Sequence, residues 1–297
     1  MIIDILLIII MHVIFYILSR VPRTFFIFLI DIYIFTNMYK LSKAYKITKI
    51  NLKIAYPNRS SDNIELLSRM SLKESLIAGY ETIYTWGRET YDSNELLFKV
   101  ENNFLLKKNI NKKKGLICVA YHSRSVDMLL TWLNSQTTTV SLYKEIKYRL
   151  LEAFVKKKRE INGSISTKTS ISGVRKIYKA LKENKVICFA ADQVPKRGMG
   201  KHINFFGKKA YSTTLIQSLA CKTESPVIYC SINSSTNGSL YISLKECNND
   251  IYNKSKHLQI INKDIEKMIN RRPIDYAWEY KRFKRSLPED KNLYCNI

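Results

Sequence analysis

The sequence predicts an α/β fold of three layers, α/β/α, with helices on both faces of a parallel sheet. Two apolar runs carry the prediction. Residues 115–120 (Gly-Leu-Ile-Cys-Val-Ala) and 186–191 (Val-Ile-Cys-Phe-Ala-Ala) have the length and composition of buried strands. Segments of helical spacing alternate with them and with further strand-like runs, the pattern of βα units. Both runs also end on chemistry-bearing residues, Tyr121–His122 in one case and Asp192–Gln193 in the other. The carboxyl ends of strands in open α/β sheets are where ligands gather.

The 297 residues suffice for one large core or two small ones. The composition changes after residue 36. Residues 1–19 are nearly all apolar, Arg20, Pro22 and Arg23 interrupt them, and residues 24–35 resume the run around Asp31. The first run is just long enough to cross a bilayer. It lacks the basic start and small-residue cleavage site of a secretory signal. We read residues 1–36 as a membrane anchor, spanning or interfacial, and residues 37–297 as the main domain; the competing reading is an apolar hairpin packed on that domain. Lys40, Lys43, Lys46 and Lys49 follow, and by the positive-inside bias they keep the body in the cytoplasm and can meet lipid phosphates.

Along the body, Leu52, Ile54 and Tyr56 alternate before a turn at Pro57. Ser61 with Asn63 caps a helix running to about Trp86. Residues 137–143 are strand-like and residues 144–155 helical, ending in Lys156–Lys157–Lys158–Arg159, either a solvated helix end or an anion site. Asn162–Gly163 is a turn, and Ser170 caps an amphipathic helix with Ile171, Val174, Ile177, Tyr178 and Leu181 on one face. After the second buried run comes a basic loop with glycines at 198 and 200, which lacks P-loop spacing. Phe205–Phe206–Gly207 follows, its rings either core or the wall of an acyl channel. Thr213 or Ser212 caps the next helix, residues 226–232 and 240–244 are strands, and residues 262–270 form a helix stopped by Pro273. An aromatic, basic segment at 275–285 precedes a polar tail.

The net charge of +24 points to anionic partners. Nucleic acid is supported by charge alone, with no zinc-finger, homeodomain or RNA-reading motif. The six cysteines (118, 188, 221, 230, 247 and 295) show no C-x-x-C and read as reduced thiols.

His122 falls where a strand ends and a helix begins, and Asp127 lies in the first turn of that helix, from which its carboxylate can reach the imidazole. A carboxylate on one ring nitrogen fixes the tautomer and leaves the other nitrogen free to take a proton. The bland alternative is a helix-capping Asp beside an incidental His. No nucleophile elbow is present, and the remaining histidines (12, 202 and 257) form no metal-ligand spacing. The proton would come from a substrate hydroxyl that attacks an activated carbonyl. Arg159 is the candidate cation for the developing oxyanion, and the Asp192 loop shapes the cleft.

In this order the residues resemble the bacterial lipid A late acyltransferases of the lauroyl/myristoyl type. The resemblance rests on His122 and Asp127 (His-x4-Asp), Arg159 and Gly163, Asp192–Gln193, Phe205–Phe206–Gly207, Trp278, Arg282–Phe283–Lys284, and early Asn51–Leu52 with Ala55–Tyr56–Pro57. It runs over roughly residues 10–285. It implies a fold like that of the glycerol-phosphate acyltransferases and a place in the bacterial inner membrane facing the cytoplasm. It also implies acyl transfer from acyl carrier protein or acyl-CoA to a hydroxyl on a phosphorylated lipid A precursor, without cofactor or metal. Carried over, His122 is the base, Asp127 its orienter and Arg159 the oxyanion donor. Asp192, Gln193, Arg124, Phe205 and Phe206 line the substrate site. The box interior, Ser123–Arg124–Ser125–Val126, departs from the family's usual His-Phe-Gly-Asn-Trp-Glu and looks partly like the glycerolipid acyltransferase box. That departure keeps other glycolipid, glycerophospholipid or aminoacyl-lipid acceptors open. A non-catalytic anionic-lipid binder of the same fold is the alternative from another class. The basic clusters 156–159, 196–201 and 281–285 are candidate docking patches for an acidic carrier.

Overall fold

The computed structural model describes residues 2–89, 94–288, 293–295 and 297. The expected polar tail falls in part on 289–292 and 296, outside the described residues. Among the described residues ten strands form two sheets. β1 (Leu97–Glu101), β2 (Leu116–Ala120), β3 (Thr139–Tyr143), β4 (Ile165–Lys168), β5 (Val186–Ala190), β8 (Val227–Ser234) and β9 (Leu240–Glu246) make the main sheet, in the order β1-β9-β8-β2-β5-β3-β4. β6 (Gly200–Phe205), β7 (Lys208–Thr213) and β10 (Ser286–Leu287) make a small antiparallel sheet.

The expected parallel sheet is found with one correction. β8, β2, β5, β3 and β4 are parallel, but β9 returns antiparallel to β8 and carries β1 with it. The polar turn between β8 and β9 is too short for a crossover, so the chain must double back. Alternate residues of β2 sort to opposite faces. Ile117 and Val119 join one core with Ile177, Leu181, Ile216, Leu219 and Ile265, while Leu116, Cys118 and Ala120 join another with Tyr80, Tyr84, Leu105, Met128 and Leu133. Helices therefore cover both faces, as the fully apolar β2 and β5 require.

The helices are α1 (Ile2–Arg20), α2 (Arg23–Phe35), α3 (Lys43–Ala55), α4 (Ser61–Gly87), α5 (Phe104–Ile110), α6 (Val126–Gln136), α7 (Arg149–Arg159), α8 (Ile171–Lys182), α9 (Leu215–Thr223) and α10 (Ile260–Ile269). Ser170 caps α8 as expected, its Oγ accepting from the Gly173 amide at 3.1 Å. At α9 the cap position is Thr214, not the expected Ser212 or Thr213, and its side chain makes no cap hydrogen bond; Thr213 Oγ1 instead accepts from the Leu215 amide. At α4 the cap is Ser60, one residue earlier than expected, accepting from the Asn63 amide. α7 starts later than the expected 144–155 and runs through the basic cluster. Cations in a last helical turn face the negative end of the helix dipole, which favours that extension. Leu52 and Ile54, read as alternating with Tyr56, lie on the helix α3. Tyr45, Thr48, Asn51, Leu52 and Ala55 face inward at spacings of three and four, and Ser42 caps the start. β4 and the β6–β7 hairpin had no sequence expectation because neither is apolar: β4 reads Ile-Ser-Thr-Lys and β6 opens Gly-Lys-His.

α1 and α2 lie against α4 but turn much of their apolar surface outward. Leu6, Ile9, Val13 and Ile17 on α1 and Phe25, Phe28 and Ile32 on α2 are exposed, and α2 buries no residue. Among the described residues no single helix is long and apolar enough to cross a membrane; α1 and α2 qualify only as a pair bent by 89°.

Asn51 closes the fold over a long sequence separation. Fully buried on α3, its Nδ2 donates to the carbonyls of Trp278 (2.6 Å) and Tyr280 (2.8 Å), and its Oδ1 accepts from the Tyr294 hydroxyl. Asn51→Ala strands two carbonyls and a phenol, so the unfolding free energy in urea should fall by about 2 kcal/mol or more.

Candidate active site

β2 and β5 pair in strict register, Leu116 with Val186 through Ala120 with Ala190. His122 and Asp192 each lie two residues beyond the last of these pairs, so the parallel strands deliver them side by side at the carboxyl edge of the sheet. The Ala191 amide donates to the Ala120 carbonyl and extends the pairing by one step. The His122 amide then donates to Asp192 Oδ2 at 3.1 Å, and His122 Nδ1 meets Asp192 Oδ1 at 2.8 Å.

The carboxylate on the imidazole is thus Asp192, where the sequence reading expected Asp127. Asp127 faces the other way along α6, to Arg159 at the end of α7. Arg159 Nε donates to Asp127 Oδ1 at 2.6 Å and Nη2 to Oδ2 at 3.0 Å, a two-point pairing of guanidinium and carboxylate. A side chain so held is not free to turn to His122. Arg159 keeps Nη1 outside any hydrogen bond among the described residues, and its own carbonyl is held by Asn134. The basic cluster resolves into two parts: Lys156 and Lys157 are exposed, and Arg159 turns inward.

The imidazole is about one-third exposed (32%) while the Asp192 carboxylate is almost fully buried (2%). Burial disfavours the imidazolium, but the adjoining Asp192 outweighs it, with Glu279 and Asp127 adding at longer range, and the His122 pKa is raised above its ordinary value. For Asp192, burial pushes upward and His122 pulls down harder, leaving the carboxyl below its ordinary value. Gln193 Nε2 lies 3.0 Å from His122 Nε2. One assignment satisfies both contacts: Nδ1 carries the proton and donates to Asp192, and Nε2 accepts from the Gln193 amide. The basic nitrogen thus faces outward under a single displaceable donor. Tyr280 fixes this loop, its hydroxyl accepting from the Val194 amide at 3.0 Å, and Arg285 donates to the Pro195 carbonyl at 2.8 Å.

The loop from His122 to α6 is tied down on all sides. Ser125 caps α6 through the Met128 amide and meets Thr82 of α4 at 2.9 Å. The His122 carbonyl accepts from the Ala277 amide, and the Arg124 amide donates to the Asp275 carbonyl. Arg124 adopts a φ of 54°, in the left-handed region that side chains seldom occupy. That turn drives its side chain inward, which overturns the expectation that Arg124 binds substrate. Its guanidinium is fully buried, pairs with Glu81 through both Nε and Nη2, meets Glu74 through Nη1, and lies 3.6 Å from Asp275. Arg23 of α2 also reaches Glu81, and Arg272 reaches Asp275 and Glu74. Three arginines and three carboxylates balance there. Burial still raises the Glu81 pKa against the pull of Arg124.

Phe205 is likewise corrected: it is core, not channel wall. It is buried at the end of β6, under the Arg282 guanidinium at 4.6 Å from the ring centre and against Phe206 and Phe283. Phe206 (φ 50°) and Gly207 (φ 76°) form the two-residue turn between β6 and β7, both in the left-handed region as such hairpins require. Phe206 is half-buried and packs on Tyr56 and Trp278. Glu74, Glu81 and Asp275 went unread in the sequence because their shared partner Arg124 lies 50, 43 and 151 residues away, in no fixed spacing. The equal offset of His122 and Asp192 from two like strands was the signal available for the dyad.

Removing one partner from a buried network leaves uncompensated charge. Arg124→Met should lower the unfolding free energy by about 3–5 kcal/mol, and adding Glu81→Leu should recover part of that loss, as urea denaturation reads out.

No individual curated protein matches this sequence. The profile of one family does, "Bacterial lipid A biosynthesis acyltransferase", over residues 2–285, which takes in every element from the first helix to the segment that pins His122. By that match the chain belongs to the bacterial lipid A biosynthesis acyltransferases and is an acyltransferase.

Proposed function

We propose that the protein transfers a fatty acyl group from a thioester, on acyl carrier protein or coenzyme A, to a hydroxyl of a lipid A precursor. His122 is the general base. The observation that carries this reading is the Asp192–His122 hydrogen bond at the sheet edge, which holds the proton on Nδ1 and points a basic Nε2 outward. An acceptor hydroxyl displaces the Gln193 amide and gives its proton to Nε2 while its oxygen attacks the thioester carbonyl. The tetrahedral oxyanion collapses by breaking the carbon–sulfur bond, and the departing thiolate takes the proton back from the imidazolium. Arg159, held at its angle by Asp127, offers Nη1 to the oxyanion. Asp127 therefore acts through Arg159, and Asp192 takes the orienting role.

In the same reading, residues 1–36 anchor the protein at the bacterial inner membrane with residues 37–297 in the cytoplasm. The outward apolar faces of α1 and α2 and the lysines after them support an anchor lying in the interface. The exposed Lys156 and Lys157 suit an acidic carrier protein.

Transfer assayed with a purified lipid A precursor tests the chemistry. His122→Ala should abolish it, and Asp192→Asn should lower kcat by about 10²–10⁴-fold. The base works unprotonated, so kcat/KM should rise with pH through a pKa above the ordinary histidine value. Asp192→Asn removes the group that raises that pKa and leaves burial, which lowers it; the acid limb should move down. Asp127→Asn should leave the limb nearly in place, and a larger shift there than in Asp192→Asn would reverse the two roles. Separately, Phe25→Asp combined with Phe28→Asp should release the protein from anionic vesicles in flotation; unchanged flotation would remove α2 from the anchor.

A further inference from the structure

Past Tyr229 one face of the main sheet changes character. Val227 and Tyr229 of β8 belong to the core under α10, but the next residues on that face are Ser231 and Asn233. Across the strand pair, Ser231 opposes Ser243, Asn233 opposes Tyr241 and Tyr229 opposes Lys245. The other face stays apolar throughout, with Cys230, Ile232, Ile242 and Leu244 in the second core. A sheet face covered by a helix normally continues apolar. Here it opens into a cavity of about 240 Å³ whose lining includes Ser243, Asn233, Thr236, Lys245, Arg271 and Arg272. Tyr121 forms part of its wall, so the cavity lies at the edge that carries His122, on the β8 side.

Its charge is one-sided. Three cations line it and no carboxylate does. Asp275, beside the lining residues Ser234 and Arg272, is already engaged by the Ser234 amide and hydroxyl at 2.8 and 2.7 Å and by Arg272. Glu101 on the flanking β1 pairs with Lys99. Arg272 is fixed by Ser234 at 2.8 Å, whereas the side chains of Lys245 and Arg271 make no hydrogen bond or ion pair among the described residues. Two unpaired cations, a third held rigid, and several hydroxyl donors around one small cavity are the donor set for a tetrahedral oxyanion.

We propose that this cavity is a phosphate subsite that binds a phosphate monoester through Lys245, Arg271 and the β8–β9 hydroxyls. The phosphate belongs either to a lipid acceptor, in which case the subsite sets that substrate beside His122, or to a free anion. Only the lipid arm rests on the acyl-transfer reading.

The test uses the full chain in detergent micelles. Binding of inorganic phosphate, followed by ³¹P line broadening, should weaken at least about tenfold in the Lys245→Met/Arg271→Gln double variant and in Ser243→Asp, which puts a carboxylate into the cavity. Thermal melts confirm that both variants fold. Phosphate binding that is absent, or unchanged in both variants, overturns the proposal whatever the activity. Kinetics then separate the sources. With a phosphorylated lipid acceptor and its dephosphorylated counterpart, the double variant should raise KM about tenfold for the first only, with kcat unchanged, if the ligand is the lipid phosphate. Equal KM values for both acceptors, together with lost phosphate binding, assign the subsite to a free anion. A protein inactive on both acceptors refutes the acyl-transfer reading and leaves the binding result standing.

Discussion

The Arg124 guanidinium is the contact on which the corner carrying His122 depends. It is a full charge in a dry interior, tolerable only because Glu81, Glu74 and Asp275 surround it. The carboxylates come from two distant regions: two from α4 and one from the segment that follows α10. Arg23 brings α2 into the same cluster. The loop from His122 to Ser125 is therefore set against the long helix α4 below it and the 275–277 segment beside it. Its backbone cannot drift without breaking a buried ion pair.

On that fixed loop, the chemistry follows from strand register. Parallel neighbours present residues of equal offset at the same height, and two positions past the Ala120–Ala190 pair those residues are His122 and Asp192. The nearly dry carboxylate then does three things at once. It receives the imidazole N–H, it receives the His122 amide, and it lies against the Tyr276 phenol, whose pKa burial drives upward so that it remains a donor. Both oxygens of Asp192 are thus engaged by His122, Oδ1 by the imidazole and Oδ2 by the amide. Asp127 and Arg159 form a second, separate ion pair one helix away.

The aromatic clasp around Trp278 links these parts to the small sheet. Trp278 is fully buried, donates to the Pro273 carbonyl at 2.8 Å, and packs on Phe206, Tyr56 and Tyr276. Phe206–Gly207 thus serves as a hairpin turn whose exposed ring edge docks on the segment bearing Asp275. The Phe-Phe-Gly signal is structural here, a way of joining the β6–β7 hairpin to the catalytic loop.

The layers, the two central strands, most helices and the place of His122 at a strand end were legible in the sequence alone. These are local properties: apolar run length, helical spacing, capping serines, and a histidine at a strand end. It also marked Asp192–Gln193 as a site element, since that pair follows the second run as His122 follows the first. The tertiary structure decided the partners. Asp127 is five residues from His122 and Asp192 is seventy, yet the carboxylate on the imidazole is the distant one. Sequence proximity places Asp127 on a helix turn facing Arg159, while lateral strand pairing brings Asp192 into contact. Arg124 likewise is expected from the sequence to line the substrate site, and one left-handed backbone angle turns it into a buried ion-pair cluster instead. Which carboxylate meets which cation is a matter of register and rotation, and those are fixed only when the layers pack.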